Sequence, residues 1–393
     1  MPSQDVVVFA QANTARERAA CVGEDVMADS LNVREIAAVN QRENLGWTPA
    51  ENELTALSDA ERAKRLGLIV TPAEMARLKA ETAALASAEL SFGAARFAAP
   101  AAVDWRNGNW VTSIKNQGQC GSCVSFCSCA TIESAVRIKL NNAGFAIDLS
   151  EGFLQFCGGG SCGGWGLTSG LDYAKSTGVV DEACMPYTAG GGTDMNCGAS
   201  RCSDWQNRLT KIKNYTGYAT MQARKDAIAN IGPVLAGIAV YNDFFASSGE
   251  VYVKGTSNNP LAGYHCICVV GYDDNKQCWI VKNSWGTTWG SSGFGRIRYN
   301  QPDLLIDSSW SFYSVEVEVS STWYSNITVS QVYSTPHATN AWVYLQGIGW
   351  RKIHPDAPDG VTNVLAICAN AAAKGKTVTV YADGSFIYQA YLL

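Results

Sequence analysis

The chain has 393 residues, 47% of them hydrophobic and 17% charged, a composition that supports sizeable cores and excludes a wholly disordered protein. Its 30 basic and 35 acidic residues leave a formal charge of −5, and so mild an acidic balance argues against a nucleic-acid binder, which would show a basic face. No apolar run is long enough to span a membrane, and the length alone points to two or three domains.

Fourteen cysteines crowd mainly into residues 120–202, with others at 21, 266, 268, 278 and 368. Disulfides persist in oxidising compartments, so this density favours secretion, a periplasm or a lysosome-like lumen. Residues 1–10 lack a basic stretch followed by a long apolar one, so the expectation is that a secretory signal has been removed.

Residues 1–100 read as an Ala-, Glu- and Arg-rich helical segment. Ser58-Asp59-Ala60-Glu61 forms a capping box, and Gly67 is placed to end that short helix at its C′ position. Thr71-Pro72-Ala73-Glu74 is a second box, after which Met75, Leu78, Thr82 and Leu85 give a stripe at helical spacing. Ser91 to Ala102 reads as a linker.

Gln117-Gly118-Gln119-Cys120-Gly121-Ser122-Cys123 runs into a helical pattern over 124–140. Cys123 therefore sits at a helix N-terminus, where free backbone N–H groups and the helix dipole stabilise a thiolate. The motif alone also allows structural cysteines, a redox Cys-x-x-Cys pair, or a metal site using Cys120, Cys123, Cys127 and Cys129.

Of three histidines, His265 stands at the start of the apolar, β-branched run 263–272, which reads as a buried strand. A cysteine nucleophile needs a base, and His265 lies at a suitable distance downstream. Asn283 ends the strand-like run 278–282, where its amide can hold one imidazole nitrogen, with Trp285 shielding that bond from water.

Beyond residue 320 the character changes. Residues 329–333 and 341–345 read as strands, 362–374 as a helix closed by Gly375, and 377–381 with 386–391 as a hairpin around Asp383-Gly384. Asn214-Tyr215-Thr216 and Asn326-Ile327-Thr328 are glycosylation sequons.

Residues 100–318 closely resemble the papain and cathepsin family of cysteine peptidases. The resemblance rests on Val103-Asp104-Trp105-Arg106, the Gln117–Cys123 motif, Leu149-Ser150-Glu151, Gly163-Gly164-Trp165, His265, and Asn283-Ser284-Trp285-Gly286 continuing to Trp289, Gly290 and Gly293. It implies an α+β, two-lobed fold, a helical lobe carrying Cys123 and a β-barrel lobe carrying His265 and Asn283. It further implies Gln117 as oxyanion donor, and substrate contacts at Gly163, Gly164, Trp165, Tyr264, Trp285 and Trp310, the last at the base of the second subsite. Cys120 with Cys162 resembles the family's disulfide near the active site. Cys157 is expected to pair with Cys184 or Cys197, with Cys202 a further candidate. Val124 departs from the family's usual aromatic at that position. Cys127 and Cys129 are also unusual and are read as small buried residues.

Asn40, Trp47 and Asn52 resemble the short propeptide of cathepsin B-like enzymes. The organisation expected is therefore an inhibitory propeptide over 1–100, a catalytic domain over 101–320 and an accessory α+β module over 321–393. The implied function is a zymogen of a cysteine endopeptidase, because the paired histidines that restrict cathepsin B-like exopeptidases are missing between Cys123 and His265. Alternatives are a peptide ligase or transpeptidase, and an inactive homologue that binds peptide or glycan. No metal or cofactor is expected. Partners would be peptide substrates, the chain's own propeptide and a glycan or protein ligand of the last module, with the chain a monomer.

Overall fold

The computed structural model describes residues 30–91, 99–318, 322–335, 340–354, 358–382 and 386–392. Residues 1–29, most of the expected linker and the Asp383-Gly384 turn lie outside the described residues.

The leading segment folds as three helices whose starts follow their capping chemistry. In α1 (Val33–Glu43) the Asn32 side chain accepts the Glu35 N–H at 3.1 Å. In α2 (Asp59–Ala63) the box closes both ways: Glu61 N–H donates to Ser58 Oγ at 3.3 Å, and Ser58 N–H donates to Glu61 Oε2 at 2.9 Å. In α3 (Pro72–Ser91) the Thr71 hydroxyl accepts the Glu74 N–H at 3.1 Å, but the Glu74 carboxylate turns to Arg77 at 2.7 Å, so this box is half formed.

Gly67 is a correction. It does not cap α2, which ends at Ala63 with Lys64 in right-handed conformation. Instead Gly67 lies so close to the Gln117–Cys123 loop that a Cβ on it would stand 1.8 Å from the Gly121 carbonyl oxygen.

The segment is anchored by the residues that carried its resemblance. Trp47 is buried in the core of the sheet lobe and its indole N–H donates to the Val253 carbonyl at 2.8 Å. The Asn40 amide donates to the Trp47 carbonyl at 3.1 Å and the Asn52 amide to the Phe245 carbonyl at 2.9 Å. Helix α3 lies on the outer strands: the Thr82 and Ser311 hydroxyls are 3.1 Å apart, and Glu89 accepts the Ala219 and Thr220 N–H groups.

The central helix α4 (Cys123–Lys139) is buried along most of its length because its small residues admit neighbours on every face. Around it lies a core shared with Leu149, Phe153, Leu171, Cys266, Cys268 and Trp310. The sheet comprises β1 (Ala102–Asp104), β2 (Lys211–Tyr218), β3 (Val234–Tyr241), β4 (Val251–Tyr252), β5 (Leu261–Asp273), β6 (Cys278–Lys282), β7 (Phe294–Arg298) and β8 (Phe312–Glu318). The strands run in the order β2-β8-β3-β5-β6-β7-β4, with β1 added to β5. Strand β5 is central and belongs to both cores: Cys266 and Cys268 face α4, while Ile267 and Val269 face the aromatic core of the sheet lobe.

The last module is a closed barrel, ordered β10-β11-β13-β12-β9, on which a helix (Pro358–Lys374) packs. Its strands are β9 (Thr322–Ser334), β10 (Ala341–Leu345), β11 (Gly349–Ile353), β12 (Thr377–Ala382) and β13 (Phe386–Leu392). Strand β11 escaped the sequence reading because Trp350, Arg351 and Lys352 carry no apolar alternation. Arg351 is nevertheless buried and donates to the Leu140 carbonyl at 3.1 Å, at the C-terminus of α4.

Candidate active site

Cys123 is the first residue of α4, preceded by Ser122 as a cap without a side-chain bond to the helix. The Ser122 carbonyl takes the Ser125 and Phe126 N–H groups, and the Val124 N–H acts on the Cys123 sulfur, favouring its anion. The Ser122 hydroxyl bonds instead to the Tyr187 phenol at 2.8 Å, and Tyr187 donates to the Gln117 carbonyl at 2.8 Å, which ties down the loop before the helix. Cys120 is bonded to Cys162. The structure also pairs Cys157 with Cys197 and Cys184 with Cys202, closing the two alternatives left open for Cys157.

His265, on β5, is fully buried, and its Nε2 lies 2.8 Å from Asn283 Oδ1. The same oxygen accepts the Ser284 N–H at 2.8 Å, so it acts as acceptor and Nε2 carries the proton. Nδ1 is then the basic nitrogen, and it is buried without a hydrogen-bond partner. Trp285 lies against the imidazole with ring centroids 4.6 Å apart and is itself buried, so the His265–Asn283 bond is kept dry. Cys123 sulfur takes contributions from the N–H groups of Cys266, the residue after His265, and of Gly67.

Gln117 is fully buried. Its Oε1 accepts from Ser284 Oγ at 2.6 Å, which turns the amide nitrogen toward the Cys120 carbonyl at 2.8 Å and the Arg65 carbonyl at 3.1 Å. The sequence alone gives Ser284 no role, since nothing local says its hydroxyl reaches back to residue 117.

The leading segment covers this constellation. The Leu68 N–H donates to the Tyr264 carbonyl at 3.2 Å, Ile69 N–H to the Trp165 carbonyl at 2.9 Å, and Trp165 N–H to the Gly67 carbonyl at 2.8 Å. Backbone pairing to the segment thus falls on Trp165 and Tyr264. Gly164 contributes closeness: its φ is +119° and a Cβ there would stand 2.5 Å from the Gly67 oxygen. Gly163 N–H donates to the Ser161 hydroxyl at 3.1 Å, within its own bend. Trp310 is fully buried, edge-on to Tyr264 with centroids 5.6 Å apart, and its ring passes over Gly237. Leu68 abuts the same glycine.

Enclosure sets the electrostatics. Burial pushes the Cys123 thiol up to about 12, against the smaller lowering by backbone N–H groups. Burial likewise takes His265 down from its ordinary 6.5 to about 4, only partly offset by the Asn283 bond and the Arg65 backbone. Under the segment both groups are held neutral. Behind the site, Lys115 bonds Glu151 at 2.7 Å and lies 3.6 Å from Glu133, and burial pushes the Glu151 carboxyl above its ordinary value against the pull of Lys115.

The family described as papain family cysteine protease matches residues 99–314. Cysteine proteinase 1 of Entamoeba histolytica is 37% identical over 206 residues, covering 50% of this chain and 62% of that protein. A cathepsin L-like proteinase of Fasciola hepatica is 30% identical over 288 residues, covering 70% of this chain and 81% of that protein. Against the Entamoeba protein and chicken cathepsin K, the match spans about six-tenths of the relatives' own length, 62% and 58%. The digestive procathepsin L2 of Tenebrio molitor larval midgut superimposes with a TM-score of 0.56 at 27% identity, covering 72% of this chain and 88% of that one. The procathepsin B S9 of Trypanosoma congolense, at 20% identity and a TM-score of 0.59, shares the fold over 73% of this chain and 99% of its own. The chain belongs to the papain family of cysteine proteases.

Proposed function

We propose that the chain is the zymogen of a cysteine endopeptidase, with residues 1–100 as inhibitory propeptide, 101–320 as catalytic domain and 321–393 as accessory module. The observation that carries this reading is His265 fixed by Asn283 with Nδ1 unpartnered, while the Gln117 amide is engaged by a carbonyl of the leading segment.

Once the segment leaves, water returns and the Cys123 thiolate and His265 imidazolium become accessible states. The thiolate attacks a peptide carbonyl carbon. Gln117 Nε2 and the Cys123 N–H stabilise the oxyanion, a contribution of about 3 kcal/mol per donor in comparable sites. His265 Nδ1 delivers its proton to the leaving amine, and water then hydrolyses the thioester with His265 as base. Asn283 and Trp285 keep the ring oriented throughout. Gly164 and Trp165 offer backbone to an extended substrate. Gly237, Tyr264 and Trp310 bound a shallow apolar second subsite, now filled by Leu68, so a branched aliphatic residue of leucine size is the preferred occupant.

Three disulfides support an oxidising compartment. In the last module, Tyr333 pairs with Trp342 and Tyr344 with Trp350 across neighbouring strands, and these rings support a glycan or protein ligand there. The reading is tested by labelling with a thiol-directed epoxide and by product analysis with an added amine. Label on Cys123 and hydrolysed peptide are expected. Amine-joined products in excess would favour the ligase, and no label would favour a binding protein.

A further inference from the structure

The oxyanion donors named above, the Gln117 side-chain amide and the Cys123 backbone N–H, belong to opposite ends of one loop. A loop free to flex would let them separate as charge develops, whereas an oxyanion site works through donors already in place.

Tyr187, which the mechanism above does not use, touches both ends. Its phenol donates to the Gln117 carbonyl at 2.8 Å, and its oxygen lies 2.8 Å from the hydroxyl of Ser122, the residue before Cys123. A phenol has one proton and a carbonyl only accepts, so the Tyr187 proton goes to Gln117 and Ser122 is the donor to the phenol oxygen. The other acceptor near the Ser122 hydroxyl, the Cys120 carbonyl, is 3.5 Å away. Ser122 thereby forgoes the bond to the first turn that a serine at a helix start ordinarily makes.

The ring is held independently of that hydroxyl. It packs edge-on to Phe126 of α4 with centroids 4.9 Å apart, and the Tyr187 N–H donates to Glu182 Oε1 at 2.6 Å. Further along, the Gly190 carbonyl accepts the Gln119 N–H at 2.8 Å. Gly118, at φ +64°, passes so close that a Cβ there would stand 2.2 Å from the Gly190 oxygen. Burial pushes the Tyr187 phenol above its ordinary value, so it stays a donor.

We propose that Tyr187 is a positioning residue for peptide hydrolysis, its phenol bridging Gln117 to Ser122 and so fixing the spacing of the two oxyanion donors. The assignment rests on the cysteine-peptidase reading above. Tyr187 acts through Gln117, which must hold its place while the tetrahedral oxyanion forms and collapses.

The test is a double-mutant cycle on a peptide substrate, each variant being made as the full chain and trimmed by immobilised wild-type enzyme. Tyr187→Phe keeps the ring against Phe126 and removes the bridge. It is expected to lower kcat about tenfold, the scale of one lost hydrogen bond, with KM nearly unchanged. In a Gln117→Ala background the same change should cost less than about twofold. Alkylation of Cys123 by iodoacetamide forms no oxyanion, so its rate and pH profile should match the wild type. Independent losses from the two substitutions, or a fall in alkylation as large as the fall in kcat, would overturn the proposal and leave the peptidase reading standing. A wild-type chain that neither alkylates nor turns over would overturn the reading and the proposal with it. Ser122→Ala cuts the bridge at its other end and should show the same dependence on Gln117, which keeps the test decisive if Tyr187→Phe folds poorly.

Discussion

The Gln117 side-chain amide donates to the Arg65 carbonyl at 3.1 Å. A donor suited to a developing oxyanion is thus already engaged by the chain itself, two residues before Gly67 crosses the nucleophile loop. Inhibition in this account is occupation of the reacting position.

If Gln117 acts on the transition state, Gln117→Ala in the trimmed enzyme lowers kcat about 10²- to 10³-fold and leaves KM nearly unchanged. Steady-state kinetics on a peptide substrate check this. A raised KM with unaltered kcat would instead make Gln117 a ground-state contact.

Gly67→Ala should release the segment, because its Cβ would stand 1.8 Å from the Gly121 oxygen and neither backbone can yield without breaking the pairing to Trp165. Overpacking of this kind costs about 1–3 kcal/mol, so activation should be roughly tenfold faster or more. The lag in product formation reports it directly.

The contrast between Gly67 and Ser58 shows which features were legible in the sequence. Ser58 and Glu61 interact over three residues, so their capping box is a local pattern. Gly67 looks locally like a helix stop, but its role is set by Gly121 and Gly164, which only the folded chain brings near. Cys123 and Asn283 were readable because each marks an element end, a helix start and a strand end, and His265 because it is a histidine within an apolar strand-like run. Ser284 was not, since its bond to Gln117 spans 167 positions. Strand β11 was hidden because Arg351 is buried by virtue of its bond to the Leu140 carbonyl, a contact its own neighbours do not announce.

Acid should open the zymogen. An imidazole in water has an ordinary value of 6.5, and burial under the segment takes His265 to about 4, so the closed form binds fewer protons between those values than a form in which the ring is hydrated. Its stability is intact above pH 6.5, is lost progressively as pH falls towards 4, and drops by about 3 kcal/mol in all. Glu43 of the segment adds a lower window. Bonds from Ser257 and Thr256 hold it at about 2 against an ordinary 4.5, so its contribution is lost below pH 4.5. The rate of self-trimming should therefore climb from pH 7 to pH 4, and Glu43→Gln should trim faster than wild type at pH 7.

Asn283→Ala should lower the pH at which activity falls on the alkaline side, because the Asn283 bond raises the His265 value. The imidazolium then deprotonates earlier. A pH profile of kcat/KM, with its acid limb as internal reference, separates this shift from simple misfolding.

The central claim is that Cys123 attacks peptide bonds and that the leading segment restrains it. The most direct measurement follows chain mass and cleavage of a fluorogenic peptide at mildly acidic pH under reducing conditions, for wild type and Cys123→Ala side by side. The account predicts that the wild type trims itself within residues 86–103 and gains activity while the variant, equally folded, does neither. Equal trimming and turnover in both proteins would contradict it.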